Sequence, residues 1–93
     1  GQYSALSYIG DNSNIQYTTA NCQAMTLSNV QDGGTYSIAI KGTTSGTCTF
    51  TAGGETFHYY PPNAATVAGS HSTYSFVKMG ADIYVNWITG YSP

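Results

Sequence analysis

The end of the chain, residues 74–93, carries the pattern that most restricts the fold. Residues 83–88 alternate strictly between the two faces of an extended strand. A second extended segment, residues 74–79, precedes them across a turn at residues 80–82 that begins with glycine. We therefore predict a closing pair of strands, with the face that carries the only tryptophan packed in the core. That face holds Ile83, Val85 and Trp87, and the opposite face holds Tyr84, Asn86 and Ile88.

Two segments in the middle of the chain alternate in the same way. Residues 35–41 and 47–51 each place apolar side chains on one face and small polar side chains on the other. A short loop bounded by glycines joins them, so we predict that they form a hairpin. Shorter strands are predicted at residues 15–19 and 25–27. The predicted core side chains of the hairpin are Tyr36, Ile38, Ile40, Cys48 and Phe50.

The alternation fails between residues 52 and 72. Gly53-Gly54 turns the chain, and Pro61-Pro62 is incompatible with a central strand. Residues 63–72 are small and polar, and we expect them to form a surface excursion. No stretch of the chain repeats its apolar residues at the helical period. The sequence therefore predicts an all-β fold in one domain over residues 1–93.

The low charge of the chain excludes several classes of function. Charged residues are 6% of the sequence, against about 25% in an average globular domain. Only two are basic, which is too few to neutralise a nucleic-acid backbone or to form a polybasic membrane patch. No apolar run approaches the length of about 20 residues that a spanning helix needs. We expect no nucleic-acid partner and no membrane insertion.

The small size of the chain suggests that it needs support beyond its own core. A domain of 93 residues buries only about 60–65% of the surface that its unfolded chain exposes. A disulfide or association with other chains would supply the missing stability. Because the chain starts with Gly1-Gln2 rather than Met, we also expect that it was cut from a longer protein.

The two cysteines, Cys22 and Cys48, could form one disulfide. Strict alternation places Cys22 on the face opposite to Met25 and Leu27, whereas Cys48 shares the core face with Phe50. A bond therefore requires an irregularity near Ala24 or a strand that begins after Cys22. Two reduced, buried thiols are equally compatible with the sequence. If bonded, the pair would add about 3–4 kcal/mol to stability in the chain-entropy model.

Metal binding and catalysis are poorly supported by the sequence. His58 and His71 are separated by irregular sequence without a metal-ligand spacing, so we expect no metal and no cofactor. The four carboxylates are isolated from one another, and no nucleophile motif is present. Asp11, Asp32 and Asp82 each occupy a turn context. We predict that the chain is not an enzyme and has no catalytic residues.

An aromatic run, residues 57–60, is the best candidate for a binding site. Alternation can bury only every second ring, so some of these side chains must stay exposed. Tyrosine offers a flat apolar face and a hydroxyl at low entropic cost, which suits carbohydrate or protein ligands. Packing against the following loop or a neighbouring subunit is the alternative explanation of the run, and the sequence favours it slightly. The predicted ligand-binding residues are His58, Tyr59, Tyr60, His71 and Tyr91.

The order of these segments resembles the C-terminal tip domains of phage tail fibres. The resemblance rests on Thr-Leu at 26–27, Gly-Gly-Thr-Tyr-Ser-Ile at 33–38, Gly-Thr-Cys-Thr-Phe at 46–50, and an aromatic strand ending in Gly-Tyr within 74–91. It spans residues 22–91, which leaves residues 1–21 as a lead-in from a fibre shaft. Similar tips occur in trimeric bacterial surface adhesins, including the fibres of predatory bacteria.

The resemblance implies a small antiparallel β-sandwich that assembles as a homotrimer at the distal end of an extracellular fibre, on a virion tail or a bacterial surface. Its implied function is noncatalytic adhesion to a cell-surface polysaccharide or another cell-envelope ligand. A structural module that caps and trimerises the fibre is the alternative, and a fibre-borne hydrolase is a third. The family has no shared binding motif to transfer. In such a trimer, the face formed by Tyr84, Asn86 and Ile88 is the predicted contact between subunits.

Overall fold

The computed structural model describes residues 7–9 and 15–93. This part of the chain contains no helix, so the all-β prediction is confirmed. It also holds no helical segment that would be long and apolar enough to cross a membrane. Its strands are β1 (Ser7–Ile9), β2 (Ile15–Thr18), β3 (Ala24–Ser28), β4 (Thr35–Ile40), β5 (Thr49–Thr51), β6 (Thr56–Tyr60), β7 (His71–Met79) and β8 (Asp82–Tyr91).

The strands form two sheets, and the first six of them alternate between the sheets along the chain. One sheet has the order β1-β3-β5 and the other the order β2-β4-β7-β8-β6. A strand that returns to a sheet after crossing the opposite one runs in its original direction. Pairing is therefore parallel for β1–β3, β3–β5 and β2–β4. It is antiparallel for β4–β7 and β7–β8, and parallel for β6–β8, whose connection runs through β7 of the same sheet. The three-stranded sheet is wholly parallel and the five-stranded sheet is mixed, where antiparallel sheets were predicted.

The predicted hairpin between residues 35–41 and 47–51 is wrong. β4 pairs with β2 and β7, whereas β5 pairs with β3 in the other sheet. Alternation correctly identified the buried face of each segment. It does not distinguish a hairpin from a connection that crosses between two facing sheets, because both bury the same side chains.

The closing pair of strands is confirmed. β7 and β8 pair antiparallel, with Met79 opposite Asp82 and Gly80 in the left-handed region at φ 64°. The Asp32 carboxylate accepts a hydrogen bond from the backbone N–H of Gly80. Gly33 in turn donates to the carbonyl of Lys78. The turn at residues 31–34 is therefore fastened to the turn of the closing pair.

The two sheets share one core. Phe50 of the three-stranded sheet makes edge contacts with Tyr74 and Phe76 of the five-stranded sheet, at ring-centroid distances of 5.2 and 4.8 Å. The predicted inward face of β8 is buried, and its opposite face is exposed. The buried apolar side chains also include Met25, Leu27, Tyr36, Ile38, Ile40, Ile83, Val85 and Trp87.

Cys22 and Cys48 form a disulfide with a Cα–Cα distance of 4.6 Å. β3 begins at Ala24, after Cys22, which is one of the two arrangements that the sequence required. The bond lies just before the paired starts of β3 and β5, where Ala24 faces Thr49. The hydroxyl of Tyr74 donates to the Cys22 Sγ over 3.3 Å, and burial raises the pKa of Tyr74 to about 12.

One further strand, β6, departs from the sequence prediction, whereas β2 confirms the strand predicted at residues 15–19. β6 occupies residues 56–60, where no strand was expected, because aromatic side chains on both faces hide the alternation. β2 lies within the predicted lead-in, yet it pairs with β4 along its whole length. At least residues 15–18 are therefore part of the fold. The irregular excursion predicted at residues 63–72 lies at residues 61–70, because β7 begins at His71, and Thr66 and Ser70 within it are buried.

Candidate functional site

The edge strand β6 and its neighbour β8 bring the exposed rings of the chain together. In their parallel register His58 lies opposite Tyr84, and Tyr60 lies opposite Asn86. All four side chains point away from the core, because they alternate with the inward residues of the two strands. We call His58, Tyr60, Tyr84 and Asn86 the β6–β8 strip.

The ring of His58 is held by contacts on two sides. It stacks on Tyr84 with a centroid distance of 5.1 Å and an interplanar angle of 21°. Its Nε2 lies 2.8 Å from Oδ1 of Asp82, at the start of β8. Both partners of this pair are about half exposed, so the contact contributes little to stability. Its effect is to fix the orientation of the imidazole.

Among the residues that the structure describes, Tyr60 has the most exposed aromatic side chain, with 76% of its surface accessible. It is the last residue of β6, and a cis peptide bond joins it to Pro61. The carbonyl of Pro61 accepts a hydrogen bond of 2.7 Å from Nε1 of Trp87. The buried indole thus holds the chain at the point where it leaves the sheet.

An open cleft of about 480 Å³ continues the strip beyond Tyr60. It lies where β8 runs on past Asn86 while β6 has ended. The backbone N–H of Val67 donates to Oγ1 of Thr89, which brings the excursion back to β8. No charged side chain contributes to the lining of the cleft, which consists of Pro61, Pro62, Ala64, Trp87, Ile88 and Thr89.

Tyr59, a predicted ligand-binding residue, lies on the other face of β6. Its ring stacks on Phe57 at 6.3 Å, and its hydroxyl accepts a 3.1 Å hydrogen bond from the backbone N–H of Phe50. Burial raises the pKa of the Tyr59 phenol. The structure therefore separates Tyr59 from His58 and Tyr60, and gives it the role of linking β6 to the opposite sheet.

His71 and Tyr91 lie farther along the five-stranded sheet. They face each other in the register of β7 and β8, and the hydroxyl of Thr73 donates to that of Tyr91 over 3.3 Å. Tyr91 follows Asn86 by five residues along β8, which corresponds to about 17 Å of strand. The five predicted ligand-binding residues are thus split into three places, and only His58 and Tyr60 belong to the strip.

The predicted subunit contact overlaps with the strip. Tyr84 and Asn86 face His58 and Tyr60 directly, and Ile88 lines the cleft. A ligand on the strip and a subunit contact over the same three residues would therefore compete. Sequence reasoning could not detect this overlap, because it depends on the parallel register between β6 and β8.

Most of the charge in the described part of the chain lies at one end of the five-stranded sheet. Asp32 bonds to the turn at Gly80, Glu55 lies 3.7 Å from the amine of Lys78, and Asp82 bonds to His58. Within the described residues no three histidine, cysteine or carboxylate side chains are grouped so that they could hold a metal ion. The sequence did not indicate Asp82 as a site residue, because a position in a turn already accounted for an aspartate there.

Comparisons with known proteins identify no family and no function for the chain. No protein-family model matches the chain. No curated protein and no solved structure matches it either. The geometry of the strip and the cleft is therefore the basis for its function.

Proposed function

We propose that the chain is a noncatalytic recognition domain of a trimeric extracellular fibre, a small β-sandwich that binds a neutral cell-surface glycan. The observation that carries the proposal is the β6–β8 strip, where exposed rings and an amide lie beside an uncharged cleft. The resemblance to fibre tips on virion tails and bacterial surfaces supports the assignment to a fibre.

The chemistry of the strip suits a neutral sugar. Tyr60 and the His58–Tyr84 pair offer flat faces for the apolar side of a pyranose ring. Asn86 and the Tyr60 hydroxyl supply donors and acceptors for sugar hydroxyls. Nothing in the cleft lining would attract a charged ligand. Each contact is weak, and three tips on one fibre would raise the overall affinity by avidity.

The first test replaces Tyr60 by alanine and measures binding to a glycan array. Loss of the exposed ring should remove about 1–2 kcal/mol of stacking, which lowers binding to any recognised glycan about tenfold. The melting temperature should change little, since 76% of the Tyr60 surface is already accessible.

A matched control is Ile15→Ala, on the edge strand at the other side of the same sheet, where the side chain is 72% exposed. Its glycan binding should equal that of the wild type. Equal binding by wild type and Tyr60→Ala on every recognised glycan would refute the assignment of the strip. Tyr59→Ala does not serve here, because Tyr59 supports the fold.

The second candidate function is a structural module that trimerises and caps a fibre. It is favoured by the apolar side chains on the outer face of the five-stranded sheet, among them Ile15, Val77, Tyr84 and Ile88. Burial of such a face between subunits would supply the stability that a chain of 93 residues lacks.

The location of the subunit contact, tested by the oligomer mass of a variant, separates the two functions. Light scattering at micromolar concentration should give three times the mass of the chain. If Ile88, which is 58% exposed, lies in the subunit contact, then Ile88→Glu should yield monomer, because a buried unpaired carboxylate costs several kcal/mol. A trimeric Ile88→Glu variant would leave the strip and cleft free for a ligand. A wild type with the mass of a single chain would exclude trimerisation in both functions.

A further inference from the structure

We propose that Asp82 is a positioning residue that sets what the strip recognises, by holding His58 as the tautomer that carries its proton on Nε2. The Nδ1 atom is then a hydrogen-bond acceptor, and it selects a ligand group that donates, such as a sugar hydroxyl. The proposal about the ligand rests on the proposed function. The proposal about the tautomer does not.

The tautomer follows from the contact with Asp82. A neutral imidazole has one N–H donor and one acceptor, and an ionised carboxylate can only accept. Because Oδ1 of Asp82 lies 2.8 Å from Nε2 of His58, the proton must be on Nε2. Nδ1 then keeps its lone pair. The same arrangement of a carboxylate and an imidazole fixes ring nitrogens in many functional sites.

The ring is held in place from two positions on the same strand. Asp82 and Tyr84 are two residues apart on β8 and point to the same side of the sheet. Asp82 lies opposite Thr56, and Tyr84 lies opposite His58 itself. The carboxylate therefore binds one edge of the imidazole while the phenol ring covers one of its faces.

The acceptor at Nδ1 is open to a ligand. The side chain of His58 is 47% exposed, and among the described residues no hydrogen bond to Nδ1 is found. A carboxylate or phosphate ester would bring only acceptors to this atom, whereas a sugar hydroxyl can donate to it. Together with Asn86 and Tyr60, His58 therefore favours hydroxyl-rich, neutral ligands over anionic ones.

The tautomer can be measured directly on the wild-type protein without a ligand. Long-range ¹H–¹⁵N correlation at about pH 8.5, with neutrality verified from the shifts themselves, distinguishes a protonated Nε2 from a protonated Nδ1. We expect His58 to carry its proton on Nε2. In Asp82→Ala the carboxylate acceptor is lost, so the fraction of His58 that carries its proton on Nδ1 should rise. His71, which has no carboxylate partner in the described part of the chain, should keep its tautomer in both proteins.

Two results would overturn the proposal. One is a wild-type His58 with its proton on Nδ1, or a tautomer population that does not change in Asp82→Ala. The other concerns a glycan whose binding depends on Tyr60. Asp82→Ala should lower its affinity, by at most about the tenfold that one hydrogen bond contributes, and unchanged affinity with a changed tautomer population would exclude Nδ1 as the ligand contact. If no glycan binds, the proposed function fails while the NMR result still decides the tautomer.

Discussion

Replacing Cys22 and Cys48 together by serine should lower the free energy of unfolding by about 3–4 kcal/mol. The bond closes a loop with a sequence separation of 26, and its loss restores that chain entropy to the unfolded state. The loss is large against the 5–15 kcal/mol that stabilises a typical domain. For a domain of this size it corresponds to a fall in melting temperature of at least about 12 °C.

The position of the disulfide indicates which part of the fold its removal should affect most. Cys48 is fully buried, and the bond joins the chain just before β3 and β5 pair at Ala24 and Thr49. Without it, the short strand β5 is held in its sheet by a three-residue pairing with β3 alone. The three-stranded sheet should therefore lose order first, and its amides should exchange hydrogen faster than those of the five-stranded sheet.

Thermal and urea unfolding of the wild type with and without a reductant supply the measurement. The reductant should lower the stability of the wild type and leave the double serine variant unchanged. A double alanine variant controls for the cost of burying two hydroxyl groups. If both variants melt within about 2 °C of the oxidised wild type, the bond does not support the fold in the way proposed.

Features of this fold that depend on neighbouring residues in the chain could be predicted from the sequence, whereas those that depend on distant residues could not. The buried face of β4, β5 and β8 follows from side-chain alternation, which is a local property. The partner of a strand is not local. The connection from β4 to β5 crosses from one sheet to the other, and no residue in that loop distinguishes this path from a hairpin.

The same limit applies to the binding surface. Exposed rings at His58 and Tyr60 could be predicted, because alternation leaves half of an aromatic run outside the core. Asp82 and the cleft could not, since they depend on a parallel pairing between strands that are 26 residues apart, as in Thr56 opposite Asp82. β6 itself was hidden because Phe57 and Tyr59 are aromatic like their outward neighbours, so hydrophobicity alone carries no period.

Replacing Trp87 by alanine should destabilise the domain by about 3–5 kcal/mol. The indole is 7% exposed, stacks almost parallel on Tyr74 at 5.5 Å, and donates from Nε1 to the carbonyl of Pro61. Its removal leaves a cavity beneath the cleft and frees the chain where β6 ends. If the trimer forms, light scattering should also show a shift toward monomer or aggregate, because the outer face of β8 depends on this packing.

Trp87→Phe separates the two roles of the indole. Phenylalanine keeps a ring against Tyr74 but cannot donate to Pro61, so the loss of stability should be only about 1–2 kcal/mol. Urea unfolding measures both variants. Because Pro61 and Pro62 form one wall of the cleft, Trp87→Phe should weaken glycan binding while the protein stays folded. Tyr84→Phe, which keeps the stack on His58, should not destabilise the fold. If Trp87→Phe matches the wild type in both stability and binding, the Nε1 hydrogen bond neither anchors Pro61 nor shapes the cleft.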